Sequence, residues 1–363
     1  MPAKRSTSKS KEGLRSSSPA NRESKDRKSR SSKSEVVSKS KSRGRSHSAA
    51  PTRVAAKSGM FLEKLCLDAI DGELGPHNTS NGIFYILGLV QIPVVLALSW
   101  WMLDIRFLYF GAFCLAGHLA GFLFSEMIGS NALFDVTEDI TLLYSFGWLY
   151  ITIIKKTESQ QVISIAAFLW ILRLLGFLSF RILMRGRDWR FDALIKNRAY
   201  NFFGWVCGGT WCWLISFCLL VGANASSSRN GSVKPLTWTG VLIAFVGLFL
   251  ETISDFQKYR FREKNKSGFI TTGLWSMSRH PNYLGEVTFW VGLCIAVIGA
   301  LPCEMKHYGL AVALCVVSPG WSMFFLFFTS LMLLEKRANE RWGSKAAYKA
   351  YKEKTPILLP VHI

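Results

Sequence analysis

The sequence predicts an all-α fold: a polytopic membrane helix bundle of about eight helices, between seven and nine, preceded by a disordered basic tail. Half of the 363 residues are hydrophobic, yet the formal net charge is +20. The two properties separate along the chain, because residues 1–59 carry a net charge of +13 and the apolar stretches come after them. This division is typical of a charged tail joined to a membrane domain rather than of one soluble domain.

The predicted tail, residues 1–59, contains 17 Lys or Arg, 17 Ser and four acidic residues. Because it has almost no large apolar side chains, it cannot bury enough surface to offset the entropy of ordering. A dense basic run holds a terminus in the cytosol and contacts anionic lipid headgroups. Nucleic-acid binding by charge neutralisation is the weaker alternative and stays open.

Eight apolar segments follow the tail, and crossing the hydrocarbon layer takes about 20 residues per helix. They cover residues 83–103, 107–127, 140–154, 162–180, 202–222, 236–253, 284–301 and 308–334. The third segment is short, and the last contains Pro319, where we expect a kink or break.

The loops between these segments predict the orientation. With the tail inside, the basic links after segments four and six and the basic C-terminal segment all fall on the same side, as the positive-inside rule requires. Both termini are therefore predicted in the cytosol. The tail has no amphipathic presequence pattern, so we expect the endoplasmic reticulum and its continuous nuclear envelope.

Residues 255–286 are too polar to face lipid, yet they are rich in aromatic residues and glycine. Helical spacing places Glu251, Asp255 and Lys258 on one face. His280 precedes Pro281, which is a favourable first residue of a helix, so a helix N-terminus next to Arg and His is expected there. Such a terminus favours a phosphate group, although a basic loop that contacts lipid headgroups fits the same pattern.

The segment GLWSMSRHPNYLGE, with FQKYRFR upstream, resembles the C-terminal signature of steroid 5-alpha-reductase-like integral membrane proteins. It is most similar to their uncharacterised branch with the pattern GLWxxSRHPNYxGE, and more distantly to sterol reductases and isoprenylcysteine carboxyl methyltransferases. Leu334-Glu335-Lys336-Arg337 and Glu340-Arg341-Trp342-Gly343 extend the resemblance, which covers residues 170–360. Asn131 and Asp135 match a shorter element of that branch.

The resemblance implies an oxidoreductase that uses NADPH to reduce the carbon-carbon double bond of an enone in a sterol or other lipid. It implies that residues 60–200 form the substrate side and residues 201–363 the reductase-like domain with the cofactor site. The cofactor-site residues that it implies are Asp255, Lys258, Arg262, Trp275, Arg279, His280, Asn282, Tyr283, Glu286, Glu335 and Tyr348.

Reduction of an enone also needs a proton donor. Tyr283 is the first candidate and Glu126 the second, since an ionisable side chain near the end of a membrane helix suggests function, although an interfacial carboxylate in water fits equally.

His118 is expected to hydrogen-bond a neighbouring helix. Arg173 is expected to pair with an acid such as Asp135.

Two other function classes stay open. A membrane methyltransferase would bind S-adenosylmethionine at the same place, and a non-catalytic scaffold would use only the basic tail. The eight Cys lack CxxC or CxxH spacing, so neither a metal site nor a disulfide framework is expected.

Overall fold

The computed structural model describes residues 80–101, 105–153, 156–186, 188–224 and 233–359. The predicted tail, residues 1–59, lies outside them. Within the described ranges the regular structure is helical and contains no strand. The prediction of an all-α membrane helix bundle is thereby confirmed.

Every predicted apolar segment coincides with helix over the residues that the structure describes. The helices are α1 (Ser80–Trp101), α2 (Ile105–Ile128), α3 (Phe134–Thr152), α4 (Glu158–Arg185), α5 (Arg198–Ile215), α6 (Phe217–Asn224), α7 (Pro235–Lys264), α8 (Pro281–Ala300), α9 (Tyr308–Phe325), α10 (Met332–Trp342) and α11 (Ala346–Lys354). A π-helical segment, Leu326–Leu331, joins α9 to α10. Single helical turns lie at Trp189–Phe191, Asp192–Ile195 and Gly273–Ser276.

By length and apolarity, the number of spans in the part of the chain that the structure describes is six or seven, at or just below the lower limit of the predicted range of seven to nine. Six helical stretches in the described residues meet that test, and the pair α5–α6, bent by 44°, makes a seventh. The predicted third span, α3, is not among them: its first two turns carry Asp135, Glu138 and Asp139. These charges lower its mean hydropathy although its 19 residues are nearly long enough to cross.

Helix α3 nevertheless runs between the same two ends of the bundle as its neighbours. At its first turn Asp135 pairs with Arg181, at the end of α4. At its other end, Lys156 donates to the carbonyl of Ile153, just before α4 begins. There Gln160 of α4 donates to the carbonyl of Gly222 in α6. We call the end with Asp135 and Arg181 the basic end, because the predicted basic loops meet there.

The expected break at Pro319 is not present. Helix α9 continues through Pro319 to Phe325, and the irregular hydrogen bonding begins with the π segment at Leu326. A membrane helix tolerates the missing N–H of a proline when neighbouring groups satisfy the backbone. The neighbouring residue, Ser318, hydrogen-bonds α6: its hydroxyl accepts from the backbone N–H of Cys218.

Helices α7 and α8 pack with their backbones in contact. A Cβ on Gly247 would lie 2.6 Å from the carbonyl oxygen of Gly285, and one on Gly292 would lie 2.7 Å from that of Gly240. Small residues allow this close approach in a membrane, where helices associate by packing. The contact locks the helix that carries Asp255 and Lys258 against the helix that carries Tyr283.

Candidate functional site

The loop between α7 and α8 folds back over the basic end of α7. Gly273 has a φ of 65°, a left-handed conformation that glycine adopts without strain. The turn lets the backbone N–H of Leu274 donate to Gln257 (3.0 Å), while the indole N–H of Trp275 donates to the carbonyl of Ser254 (3.1 Å). Trp275, a predicted cofactor residue, is buried against α7 as a result.

Lys258 lies over the ring of Trp275, with its ammonium 4.8 Å from the ring centroid. No acidic side chain of the described residues forms a salt bridge with it, because its neighbour Asp255 is bound to Arg173 at 2.6 Å. The other charges around Lys258 are the cations Arg181, Arg190 and Arg262. The ammonium is therefore held by an aromatic face in an electropositive environment.

Arg262 extends this positive region by one turn of α7. Its guanidinium stacks on the ring of Trp342 at 5.4 Å, and Arg341 and Arg185 add further positive charge nearby. We call Lys258, Arg262, Arg185 and Arg341 the cationic rim. It lies at the basic end, beside the N-terminus of α8.

The N-terminus of α8 is built around Glu335. This carboxylate accepts from the imidazole Nε2 of His280 at 2.8 Å and pairs with the guanidinium of Arg279. The backbone N–H of Arg279 donates to the carbonyl of Pro356 at 2.9 Å. The structure thus brings three predicted site residues into contact and ties them to the C-terminal segment.

Burial lowers the pKa of His280, and the hydrogen bond to Glu335 offsets this only in part. The imidazole is therefore neutral near pH 7, with its proton on the Nε2 that faces Glu335. Its Nδ1 then carries a free lone pair and acts as an acceptor. The ring stacks on Tyr283, with centroids 5.6 Å apart and an interplanar angle of 14°.

Three buried polar atoms at this helix N-terminus have no hydrogen-bond partner in the described residues: Nε of Arg279, Nδ1 of His280 and Oδ1 of Asn282. Buried polar groups in proteins are almost always satisfied. One donor and two acceptors, grouped within four residues of the chain, are the pattern expected where a polar ligand completes the bonding.

The C-terminal segment covers the same loop. The ring of Tyr348 packs on Phe269, with centroids 5.0 Å apart, and burial raises the pKa of this tyrosine. The hydroxyl of Tyr351 donates to the carbonyl of Trp275 at 2.6 Å. Glu335 and Tyr348 therefore lie on the C-terminal side of the site, where the resemblance implied them.

Arg173 forms an ion pair as predicted, but the partner named for it was wrong. Its guanidinium binds Glu251 at 2.8 Å and Asp255 at 2.6 Å, across the interface of α4 and α7. Asp135 pairs instead with Arg181 and Arg190. Arg173 lies two turns before Arg181 on α4. Glu251 and Asp255 therefore lie opposite Arg173, whereas Asp135 lies opposite Arg181.

Asp188 completes the second ion-pair network. Burial disfavours its ionisation, but Arg190 and Arg181, both at 2.8 Å, lower its pKa to about 2. The network holds the loop after α4 against the first turn of α3. Because Arg190 is also a charged neighbour of Tyr283, this loop reaches the candidate site.

The second predicted proton donor, Glu126, belongs to another network. Its carboxylate accepts from Asn201 at 2.8 Å and pairs with Arg198 at 3.3 Å. Asn201 in turn accepts from Asn131. Tyr283 has Arg190, Ser330 and Glu286 as neighbours. The structure therefore does not bring the two predicted proton donors together.

His118 bonds its own helix through Nδ1, 2.9 Å from the carbonyl of Cys114, and also contacts a neighbouring helix, as expected. Its Nε2 faces α5, where the sulfur of Cys212 is 4.0 Å away. Sequence reasoning missed the carboxyls of Glu138 and Asp139 next to it. The signal was present, because three acids in five residues at the start of an apolar segment are costly in a membrane.

Comparison with known proteins places the chain in a family. Residues 121–355, more than half of the chain, match the family model described as "Protein of unknown function (DUF1295)". The chain belongs to this family. The family includes steroid 5-alpha-reductase-like proteins.

A similarity to one curated protein is shorter. The chain is 32% identical over 101 residues to the "Probable O-methyltransferase ustE" of Ustilaginoidea virens, an alignment that covers 26% of the chain and 34% of that protein. The chain therefore spans about a third of the length of the curated relative it matches. No solved structure matches the chain.

Proposed function

We propose that this DUF1295 protein is an integral membrane oxidoreductase that uses NADPH to reduce a carbon-carbon double bond conjugated to a carbonyl in a sterol or other lipid. The observation that carries the proposal is the site at the N-terminus of α8. There, three buried polar atoms without partners lie beside a cationic rim in which Lys258 has no acidic partner in the described residues.

The chemistry of these residues fits a phosphate-rich dinucleotide. The cationic rim and the N-terminus of α8 suit the diphosphate and the 2′-phosphate. The free acceptors on His280 and Asn282 suit ribose hydroxyls. When bound there, NADPH supplies a hydride to the electron-poor carbon of the double bond.

Tyr283 is the proposed proton donor beside that site. Its ring stacks on His280, and its hydroxyl lies near Ser330 and Arg190. An adjacent cation stabilises the phenolate that remains after proton transfer. A lipid substrate is proposed to enter from the membrane, because α7 and α8 leave the bilayer at this end.

A methyltransferase is the second candidate, because the chain shares 32% identity over 101 residues with a probable O-methyltransferase. The cofactor of such an enzyme, S-adenosylmethionine, carries a sulfonium, an ammonium and one carboxylate, so its net charge is positive and it has no phosphate. The cationic rim disfavours a net cation, whereas it attracts phosphates. We therefore favour the reductase.

The proposal also covers location. The basic end faces the cytosol by the positive-inside rule, so both termini and the cofactor site are cytosolic. We place the protein in the endoplasmic reticulum and nuclear envelope, with the basic tail on anionic lipid headgroups.

Cofactor binding to the detergent-purified full chain tests the proposal. NADPH, NADH and S-adenosylmethionine are titrated against the wild type, Lys258→Ala, Arg279→Ala and the control Lys349→Ala, a residue exposed on α11. Selective NADPH binding that weakens in the first two variants and persists in the control supports the reductase. Selective S-adenosylmethionine binding establishes the methyltransferase instead, and binding of neither cofactor contradicts both.

A further inference from the structure

The carboxyl groups at the basic end outnumber the cations that pair with them. Arg173 takes Glu251 and Asp255, while Arg181 and Arg190 share Asp135 and Asp188. Three further carboxyls have no salt-bridge partner in the described residues. We call them the carboxyl cluster: Glu138 and Asp139 of α3 and Glu286 of α8.

The members of the cluster are close enough to repel one another. Glu138 has Asp135, Asp139 and Glu286 as acidic neighbours and Arg190 as a cationic one, while Arg173 is a cationic neighbour of Asp139 and Glu286. Asp139 is 1% exposed, and its Oδ2 has no hydrogen-bond partner. Glu286 is 9% exposed, with the hydroxyl of Ser322 at 3.4 Å from its Oε1.

His118 of α2 lies on the same side of Gly208 as Glu138 of the cluster. A Cβ added to Gly208 of α5 would lie 2.9 Å from Nε2 of His118 and 3.0 Å from Oε1 of Glu138. His118 is fully buried, and its Nδ1 is engaged by the carbonyl of Cys114. The proton of the neutral ring is therefore on Nδ1, and the Nε2 lone pair faces the thiol of Cys212 at 4.0 Å, with the carboxyl of Glu138 on the same side.

Protons are the means by which this cluster is neutralised. In the described residues no group of acidic, His or Cys side chains is arranged to hold a metal ion. The nearby arginines are already bound to two carboxylates each. Carboxyls that share a low-dielectric site and form no salt bridge of their own do not all ionise, so they retain protons between them.

The cluster also adjoins the proposed proton donor. Glu286 lies three residues after Tyr283 on α8, one helical turn away, and is among its charged neighbours. Glu286 is thus an electrostatic neighbour of both Glu138 on α3 and Tyr283, the proposed proton donor.

We propose that Glu138, Asp139 and Glu286 form a shared-proton store that supplies the proton of the reduction through Tyr283. This inference rests on the proposed reductase function. The hydride from NADPH and the proton from Tyr283 add to the two carbons of the double bond, so the substrate gains two hydrogens and NADP⁺ is released. Tyr283 regains its proton from the cluster, and water restores the cluster.

Infrared spectroscopy of the full chain in detergent at pH 7 tests the store without a substrate. A protonated carboxyl gives a C=O stretch that carboxylates lack and that shifts in D₂O. We expect this band in the wild type and a weaker band in Glu138→Gln, Asp139→Asn and Glu286→Gln. Glu353→Gln, an exposed control on α11 outside the cluster, keeps the full band. Glu286→Asp retains a carboxyl, so it keeps the band if the fold is intact.

Absence of the band from the wild type, or an unchanged band in all three variants, overturns the shared-proton store. Delivery of the proton is tested by NADPH oxidation with a steroid enone as the probe. We expect Glu138→Gln, which lies outside the predicted cofactor-site residues, to bind NADPH as the wild type does and to oxidise it about 100-fold more slowly, with a larger solvent isotope effect. Wild-type rates in Glu138→Gln and Glu286→Gln overturn the delivery role.

The two proposals fail in distinguishable ways. If the wild type binds no NADPH, or binds it and reduces no enone, the reductase function is wrong and the delivery role is lost with it, while the infrared band still decides whether the store exists. If NADPH binds and the enone is reduced but the band is absent, the store alone is wrong.

Discussion

Buried charges at the basic end each depend on a few specific partners. Arg173 is the clearest case, because its guanidinium binds two carboxylates that are 4% and 10% exposed. The indole N–H of Trp170 donates to Glu251 as well, at 2.9 Å. A pair in this environment contributes little net stability, but removal of one member leaves an uncompensated charge.

We therefore expect Arg173→Met to destabilise the protein by about 3–5 kcal/mol, since Glu251 and Asp255 lose their cation. Thermal unfolding in detergent measures the change, with the exposed Lys264→Met as the control. Adding Glu251→Gln and Asp255→Asn to Arg173→Met should recover part of the loss. Equal stability of Arg173→Met and the control would contradict the assignment.

His280 predicts a pH dependence of stability. Burial lowers its pKa in the folded protein, whereas in the unfolded chain it keeps the ordinary value of about 6.5. The unfolded state therefore binds more protons as the pH falls through 6.5, and the folded protein loses stability there. The loss ends once the pH is below the folded pKa.

The measurement is the unfolding temperature of the wild type and of His280→Gln between pH 8 and pH 5. The advantage of the wild type over the variant should be constant above about pH 7 and should shrink below pH 6.5. A difference that does not change with pH would show that the pKa of His280 is the same in both states.

At the scale of elements, the contact of α7 with α8 sets the geometry of the site. Gly285 lies so close to α7 that a Cβ on it would be 2.5 Å from the backbone nitrogen of Glu251. Trp170 of α4 stacks on Phe289 of α8 at 5.2 Å and extends this packing to a third helix. The packing thereby fixes the position of Lys258 on α7 relative to Tyr283 on α8.

Gly292→Ala should destabilise this interface, because the added methyl meets the backbone of Ala244 and the carbonyl of Gly240. Overpacking of this kind costs about 1–3 kcal/mol. Gly176→Ala on α4 is the matched control: nothing lies within 4 Å of its Cβ position, and alanine there should be neutral or stabilising by about 0.5–1 kcal/mol.

Unfolding temperatures and NADPH affinity of the two variants measure both consequences. We expect weaker NADPH binding in Gly292→Ala even where the protein stays folded, because α7 and α8 separate. Tolerance of alanine at both glycines would show that the two backbones are not in contact.

At the scale of the whole molecule, the described chain has two chemically different ends. The ion pairs, the cationic rim and the carboxyl cluster gather at the basic end. Cys303, in the link between α8 and α9, is an exposed thiol at the opposite end. The distribution of charge between the two ends is what orients a multi-pass protein in its membrane.

An impermeant maleimide applied to sealed, cytosol-outside microsomes tests this orientation in a Cys66→Ser background. Cys303 should react only after the membrane is permeabilised. Ser344→Cys, introduced between α10 and α11 with Cys303→Ser, should react at once, because that link is exposed at the basic end. The reverse pattern would place the cofactor site in the lumen.

The sequence by itself determined the fold class, the helical segments and the face of α7 that carries Glu251, Asp255 and Lys258. These features depend on local composition and on the helical period, which are written in consecutive residues. The grouping of Arg279, His280 and Asn282 at a helix N-terminus was equally readable, since Pro281 marks that terminus.

Only the tertiary structure decided which charges meet. Arg173 and Glu251 are 78 residues apart, and Asp135 and Arg190 are 55 apart, so neither pair follows from periodicity within one helix. The carboxyl cluster unites α3 with α8, and the space beside Gly208, which both His118 and Glu138 adjoin, depends on how closely α5 packs. Helix rotation and approach set these contacts, because in a membrane backbones come closest where small residues permit it.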